Sequence, residues 1–417
     1  MGQPTEEATA KVGAARRQAA FVFVFATVLL DMLAIGIVIP VLPKLVVDFV
    51  GDTARAAEIF GIFGTAWALM QFFFSPLQGA LSDRFGRRPV IVISNFGVGL
   101  DYVLMALAPT LGWLFVGRVI SGITAASIGT AYAYVTDVTP AGKRGARFGL
   151  LGAAFGAGFV LGPAVGGLAG SISPRLPFWI AAGLSLANAC YGLLILPESL
   201  PQARRAAFSW RRANPFGALL LLRSHRGLFG LANVNFLSNL AHAVLPSISV
   251  LYLLYRYNWD QRTIGLTLAG VGFASIIVQG AVVGPVIKQI GERAALMLGI
   301  AFGVLGFLVV AFARSGFEFF FGIPLLALWG LEEPASLALM SRSVGASEQG
   351  RLQGANSSIT GIANLVGPGL FSLTFAFAIG AGREWNLPGA PFLIAALLLA
   401  GSVIVAFRVT RTLKPAA

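Results

Sequence analysis

Twelve apolar stretches, each long enough to cross a bilayer, decide what this chain can fold into. A transmembrane helix needs about 20 predominantly apolar residues. Such runs occur at 21–43, 58–80, 88–108, 112–136, 146–170, 176–196, 228–254, 263–286, 293–313, 317–340, 352–380 and 388–408. Inside a bilayer each backbone polar group must find a partner within the protein, so runs this long read as helices. The predicted fold is therefore an all-α polytopic membrane protein. Of the 417 residues 57% are hydrophobic and only 11% charged. That balance excludes a water-soluble enzyme, a disordered chain and a nucleic-acid binder.

The formal net charge of +13 acts here on topology rather than on nucleic acid. With the N-terminus inside, 22 of the 30 lysines and arginines fall on the inner side and 7 on the outer, and Arg118 alone lies within a span. This asymmetry predicts that both termini are cytoplasmic. The first span does not read as a cleaved signal peptide: its apolar run is too long, it contains Asp31, and no small-residue cleavage site follows. The single cysteine, Cys190, excludes an internal disulfide, and two histidines leave little for a metal site. No metal, cofactor or catalytic residue is expected. There is no phosphate-binding G-x-x-x-x-G-K-[ST] loop and no nucleophile–base pair, so the chain is read as a non-enzyme.

The longest polar stretch between spans, 197–227, divides the chain. The expected organisation is a cytoplasmic tail over 1–20, a six-helix bundle over 21–196, a cytoplasmic central loop over 197–227, a second six-helix bundle over 228–408 and a cytoplasmic tail over 409–417. Residues 216–222 could form a short interfacial helix within that loop. The halves repeat at an offset of 205 residues. Gly79, Gly86 and Arg88 return as Gly284, Gly291 and Arg293, and Gly145, Gly149, Gly156, Gly162 and Pro163 return as Gly350, Gly354, Gly361, Gly367 and Pro368. A duplicated six-helix unit points to two pseudo-symmetric bundles that rock about a midplane site.

Several polar residues stand out against this apolar background. Asp31 sits near the middle of span 1, where a carboxylate is costly and suits proton coupling or substrate contact. Arg118 in span 4 and Asp101 in span 3 lie at matching depth and could pair. Span 7 sets Asn235, Asn239, His242 and Pro246 on one helical face, and span 11 repeats the pattern with Asn356, Thr360 and Asn364. Polar groups on one face of an apolar span should line a cavity. Histidine also titrates near neutral pH. Glu332 and Glu333 lie deep in span 10; adjacent residues point about 100° apart on a helix, so only one should face a cavity. The alternative for each of these groups is a structural hydrogen bond or ion pair.

The loop Gly79-Ala-Leu-Ser-Asp83-Arg84-Phe-Gly86-Arg87-Arg88 joins spans 2 and 3. It resembles the G-x-x-x-D-R-x-G-R-R signature of the major facilitator superfamily, whose loop acts as a cytoplasmic gate. Its second copy, Gly284 to Arg293, reads as degenerate, with Lys288 where Asp83 stands. Span 5 is lined with Gly152, Gly156, Gly162, Pro163 and Gly166, a spacing that lets helix backbones approach closely. In the superfamily that pattern is typical of antiporters.

The stretches LLDMLAIGIVIPVLP, GALSDRFGRRPV, GRVISGITAA and FGLLGAAFGAGFVLGPAVGG, with RYNWDQRTIGLTLAG and GRLQGANSS in the second half, resemble the tetracycline/proton antiporter (drug efflux) group. The resemblance implies roles for Asp31, Gln71, Asp83, Arg87, Asp101, Arg118 and Asp137. It departs at two places: the span-8 histidine and span-9 aspartate of that group fall on Ser275 and Gly303. Proton coupling is then expected at Asp31, Asp101, Arg118, His242, Glu332 and Glu333. The expected substrate cavity holds Asp31, Gln71, Asn235, Asn239, His242, Asn356, Thr360 and Asn364. The expected gate holds Gly79, Asp83, Arg84, Gly86, Arg87, Arg88 and Asp137.

The predicted activity is secondary active transport: proton-coupled antiport exporting a hydrophobic or amphipathic small molecule by alternating access, from the bacterial inner membrane. The expected partners are that substrate, protons and the lipid bilayer, with no nucleic acid, and the chain is expected to be a monomer. Metabolite uptake by symport, an uncoupled facilitator of the same fold and a non-transporting receptor are the other readings.

Overall fold

In a computed structural model the chain forms helices and connecting turns, with no strand among the described residues. Those residues are 6–124, 127–209, 214, 219, 221–222, 226–345 and 348–412; side chains are described for all of them except 6–19, 127, 141, 226 and 412. The helix expected at 216–222 lies outside the described residues save for three of its positions, as do the ends of both tails.

The helices run α1 Glu6–Val38, α2 Leu42–Val50, α3 Thr53–Phe85, α4 Arg87–Leu107, α5 Leu111–Thr124, α6 Ser127–Val138, α7 Arg144–Ile172 and α8 Leu176–Leu194 in the first half. The second half adds α9 Arg226–His242, α10 Val244–Tyr257, α11 Gln261–Ile277, α12 Val283–Phe312, α13 Gly316–Leu328, α14 Glu332–Arg342, α15 Gln349–Ile379 and α16 Ala390–Thr412. Among the described residues eleven helical stretches are long and apolar enough to cross a membrane. One of them, Gln261–Phe312, has 52 residues. At 1.5 Å per residue it would run about 78 Å, more than twice the bilayer core. It is broken at Gly291 (φ 80°, ψ 162°), so it is long enough for two crossings, which brings the number among the described residues to twelve.

Several spans are broken where the sequence removes a backbone donor. The turn at 39–41 between α1 and α2 contains Pro40, and Pro246 lies in the first turn of α10. Some helix starts are capped by side chains. Asp260 accepts from the Thr263 amide at 2.8 Å at the start of α11. Ser315 accepts from the Glu318 amide at 3.3 Å at the start of α13, the first half of a capping box.

By contact the chain divides into two units. One comprises Met1–Val38 and Phe73–Asn214, the other Ile39–Phe72 and Pro215–Ala417. In the first, α1 lies along α7 and α8, and α4 packs on α5, α6 and α8. A core of Val24, Met32, Tyr134, Leu151 and Leu196 fills it. In the second, α12 packs on α13, α14 and α16, and α9 on α15 and α16, around Leu251, Tyr252, Phe307, Phe371, Phe375 and Phe392. Residues 39–72 cluster with the second unit because α3 meets α15 closely there. A Cβ on Gly64 would stand 2.7 Å from Pro368 Cβ, and one on Gly61 2.8 Å from Ser372 Cβ. Large apolar side chains remain exposed, among them Ile172 (78%), Leu194 (79%) and Phe317 (73%). Water would penalise such a surface and lipid does not.

Candidate functional site

Asp31, on α1, is held by two asparagines from other helices. Asn188 on α8 donates its Nδ2 to Asp31 Oδ1 at 2.8 Å and to the Thr27 carbonyl at 3.0 Å. Asn95 on α4, with its amide turned to satisfy its neighbours, donates to both Asp31 oxygens at 3.2 and 3.3 Å and accepts from Asn188 at 2.9 Å. Both asparagines are fully buried. A carboxylate removed from water needs its lone pairs satisfied, and here neutral amides do it. Neither asparagine was singled out by sequence. The available signal was a lone amide in each of two apolar spans.

Asp101, on α4, is 1% exposed and packs against α5. A Cβ on Gly117 would stand 2.7 Å from its Oδ1, so the glycine makes room for the carboxylate. Arg118, the next residue on α5, interacts with Asp101 electrostatically. The two groups expected to pair thus lie in one electrostatic neighbourhood.

The glycine loop builds a dense polar knot in the first unit. Gly86, the single residue between α3 and α4, has φ 108° and ψ 160°, which L side chains rarely adopt. The Arg87 side chain is buried; it pairs with Asp83 at 2.5 Å and Asp137 at 3.2 Å and donates to Ser82 Oγ at 2.7 Å. Arg88 donates to the carbonyls of Gly192, at 3.3 Å, and Leu193. Glu198 completes the knot from the chain beyond α8. It accepts from the backbone amides of Arg87 at 2.9 Å and Arg88 at 3.3 Å, and lies 3.9 Å from Arg205. A carboxylate at a helix N-terminus satisfies orphan donors and meets the positive end of the dipole. Sequence reading left Glu198 in the central loop. By contrast Arg84 lies over the Phe85 ring, and a Cβ on Gly79 would meet nothing within 4 Å.

In the second unit a polar seam joins α9, α14 and α15. Ser336 donates to Asn235 Oδ1, and Asn235 Nδ2 faces Met340 Sδ at 3.1 Å and Asn356 Oδ1 at 3.5 Å. Thr360 donates to Asn239 Oδ1 at 3.2 Å. The two faces expected to line a cavity therefore bond partly to each other. Glu332 opens α14 and is 6% exposed; Ser238 donates to its Oε2 at 2.8 Å, while Oε1 has no donor among the described residues. Glu333 is exposed. His242 is exposed on α9, its ring 5.5 Å from that of Trp329. Asn364 is exposed and Gln71 half-buried.

Glu332 sits beside two irregular turns. The π turn Val278–Val282 packs on the 3₁₀ turn Trp329–Leu331, with Val278, Val283, Ala327 and Leu331 buried together. Such interruptions recur at functional positions in helices. Ser275 merely donates to the Val271 carbonyl at 3.0 Å. At Gly303 a Cβ would stand 2.6 Å from Leu399 Cδ1 and 2.9 Å from Trp329 Cγ, so Trp329 fills that space.

The span-5 glycines differ among themselves. A Cβ on Gly162 would stand 2.5 Å from Gly36 Cα, and one on Gly166 would run into the Ile37 carbonyl oxygen, so α1 and α7 touch backbone to backbone. Pro163 lies at the same crossing. Gly156 is half-buried. A Cβ on Gly152 would meet nothing within 4 Å; the packing role read for it is absent.

The sequence profile of the Major Facilitator Superfamily matches residues 24–368 and 231–417. The chain is 38% identical over 377 residues to the class C tetracycline resistance protein of Escherichia coli, covering 90% of this chain and 95% of that protein. It is 37% identical to the class G tetracycline resistance protein of Vibrio anguillarum, covering 85% and 90%. Among solved structures, the human organic anion transporter MFSD10 (TETRAN) superposes with a TM-score of 0.69 at 24% identity, over 94% of this chain and 99% of that one. The chain is a multi-pass membrane transporter, not an enzyme, and belongs to the Major Facilitator Superfamily, with bacterial tetracycline resistance proteins among its relatives.

Proposed function

We propose that the protein is a proton-coupled antiporter that exports a hydrophobic or amphipathic small molecule, of the tetracycline kind, from the bacterial cytoplasm by alternating access. Both termini lie in the cytoplasm, and the transporter works as a monomer. The observation that carries the reading is the setting of two membrane carboxyls. Asp31 is bonded to Asn188 and Asn95, and Glu332 to Ser238, so each is held by neutral groups. Such a carboxyl can gain and lose a proton without breaking an ion pair, whereas an ionised one without strong partners is costly in this medium. Glu332 takes the coupling role in the second unit, because Ser275 cannot carry a proton at neutral pH and Gly303 has no side chain. Asp101 and Arg118 form the approach to Asp31, and His242 and Glu333 stand on the route to Glu332. Gln71, Asn235, Asn239, Asn356, Thr360 and Asn364 contact substrate, and the Asp83–Arg87–Asp137 knot is the cytoplasmic gate.

Substrate and proton binding favour different states of the carrier, and that difference drives exchange. Each inward proton charge supplies about 2.3 kcal/mol per 100 mV. The test uses purified protein in liposomes with a trapped pH dye and an imposed proton gradient. Tetracycline is added to wild type, Asp31→Asn and Glu332→Gln. Tetracycline-dependent proton flux opposite to drug movement, lost in both variants, is the expected result. Labelled tetracycline that equilibrates with no proton flux in the wild type would instead make this an uncoupled facilitator.

A further inference from the structure

The second glycine loop reads as a decayed copy of the first, yet its geometry is intact and its charges are reversed. Gly86 and Gly291 share the same left-handed turn, with φ 108°, ψ 160° and φ 80°, ψ 162°. The Arg87–Asp137 pair of the first unit, at 3.2 Å, has a counterpart in the second: Glu292 and Arg342, at 2.7 Å. Glu292 and Arg342 each lie 205 residues beyond Arg87 and Asp137. A third contact repeats in the same register. The Arg144 side chain donates to the Thr136 carbonyl at 3.2 Å, and the Gln349 side chain to the Ser341 carbonyl at 2.8 Å. With Lys288 at the place of Asp83, an acid–base–acid set has become base–acid–base.

Helix dipoles give the reversal a physical reason. Glu292 is in the first turn after the break at Gly291, and Arg342 is in the last turn of α14. An acid at a helix start and a base at a helix end both match the macrodipole. Arg87 at the start of α4 and Asp137 near the end of α6 oppose it at both ends. The first knot therefore draws Glu198 onto the start of α4 as an external counter-charge. The stretch that follows span 12, 409–417, holds no Asp or Glu as 197–200 does after span 6, and the acid at the second loop is Glu292 itself.

We propose that Glu292 and Arg342 form a second latch of reversed polarity. They are positioning residues that hold the start of the last α12 segment against the end of α14, so that spans 9 and 10 move as one piece during transport. The inference rests on the chain being a transporter and not on proton coupling.

The test compares wild type, Glu292→Gln, Arg342→Gln and the charge-swapped double variant Glu292→Arg/Arg342→Glu, all as full chain in liposomes. Amide hydrogen exchange is followed over 288–296 and 336–345, together with tetracycline turnover per folded transporter. Arg342 is 59% exposed, so the effect is modest. Each single variant should exchange about two- to fivefold faster at both segments and lower kcat by a similar factor with KM unchanged. The swap should recover part of both, short of wild type because it opposes the dipoles. Unchanged exchange in the single variants, or a swap no better than either, would overturn the proposal. The exchange arm needs no substrate, so it decides the matter even where tetracycline is not moved.

Discussion

Glu198 accepts the backbone amides of Arg87 and Arg88 at 2.9 and 3.3 Å, joining the end of the first six spans to the start of the third. Its carboxyl carbon would stand 2.7 Å from any Cβ on Gly86, so the glycine is needed for this approach as well as for the turn. Replacing Glu198 with alanine should cost about 1–2 kcal/mol, the loss of a charged helix cap. A fall in the melting temperature of detergent-purified protein is the check. Glu198→Gln should recover part of the loss, since an amide oxygen still accepts one hydrogen bond.

The Asn188 amide reaches Asp31 and the Thr27 carbonyl together, so Asn188→Ala removes one donor from each while Asn95 still bonds Asp31. A cost of about 1 kcal/mol follows, that of a lost hydrogen bond whose acceptors keep other partners. The triple variant Asp31→Leu/Asn95→Leu/Asn188→Leu removes all three members of the side-chain network and should regain much of that stability. It should also abolish proton flux. Thermal unfolding and the liposome assay, run on the same preparations, separate the two effects.

Gly303→Asp places a carboxylate on span 9, and the packing forbids it. The new Cβ would lie within 3 Å of Leu399 and Trp329. Membrane yield of Gly303→Asp should drop severalfold. Adding Trp329→Ala should restore part of the yield, since the vacated indole space also lets Leu399 turn aside, as quantitative blotting of membranes would report.

Asp260, in the loop before α11, is held below the usual carboxylate range by hydrogen bonds from Thr263. A lowered native pKa contributes stability that is present above the unfolded value, near 3.8, and lost as pH falls through the native one. Asp260→Ala should therefore lower stability at pH 7 by about 1 kcal/mol for a lost cap, read as a lower melting temperature. The difference from wild type should shrink when both are unfolded at pH 3.

The twelve crossings were legible in the sequence because span length is set by bilayer thickness and recorded in local hydropathy. Gly86 and Gly291 were legible as a repeated pair, since a left-handed turn has few residues to choose from. Contacts between distant segments were not. Asn95 and Asn188 meet Asp31 across 64 and 157 residues of sequence, and nothing local to either says so. Arg342 lies 50 residues from Glu292, so Lys288 alone looked like decay. Periodicity allowed only one of Glu332 and Glu333 to face inward but could not choose; the Ser238 hydroxyl and the turn at Trp329–Leu331 make it Glu332 that is buried. Gly152 shared the spacing of Gly162 and Gly166, but its face of α7 meets no neighbouring atom within 4 Å of where a Cβ would stand.

The one-residue turns have a practical consequence for handling the protein. With α3 ending at Phe85 and α4 beginning at Arg87, there is no slack chain at Gly86 for a protease to bind in extended form. Gly291 offers none either, since helix resumes at once on both sides. An epitope tag, a reporter cysteine pair or a fused fluorescent domain inserted at either point would have to pry two helices apart to be accommodated. These are the places to leave untouched when labelling sites are chosen, and resistance to limited digestion there should persist after other loops are cut.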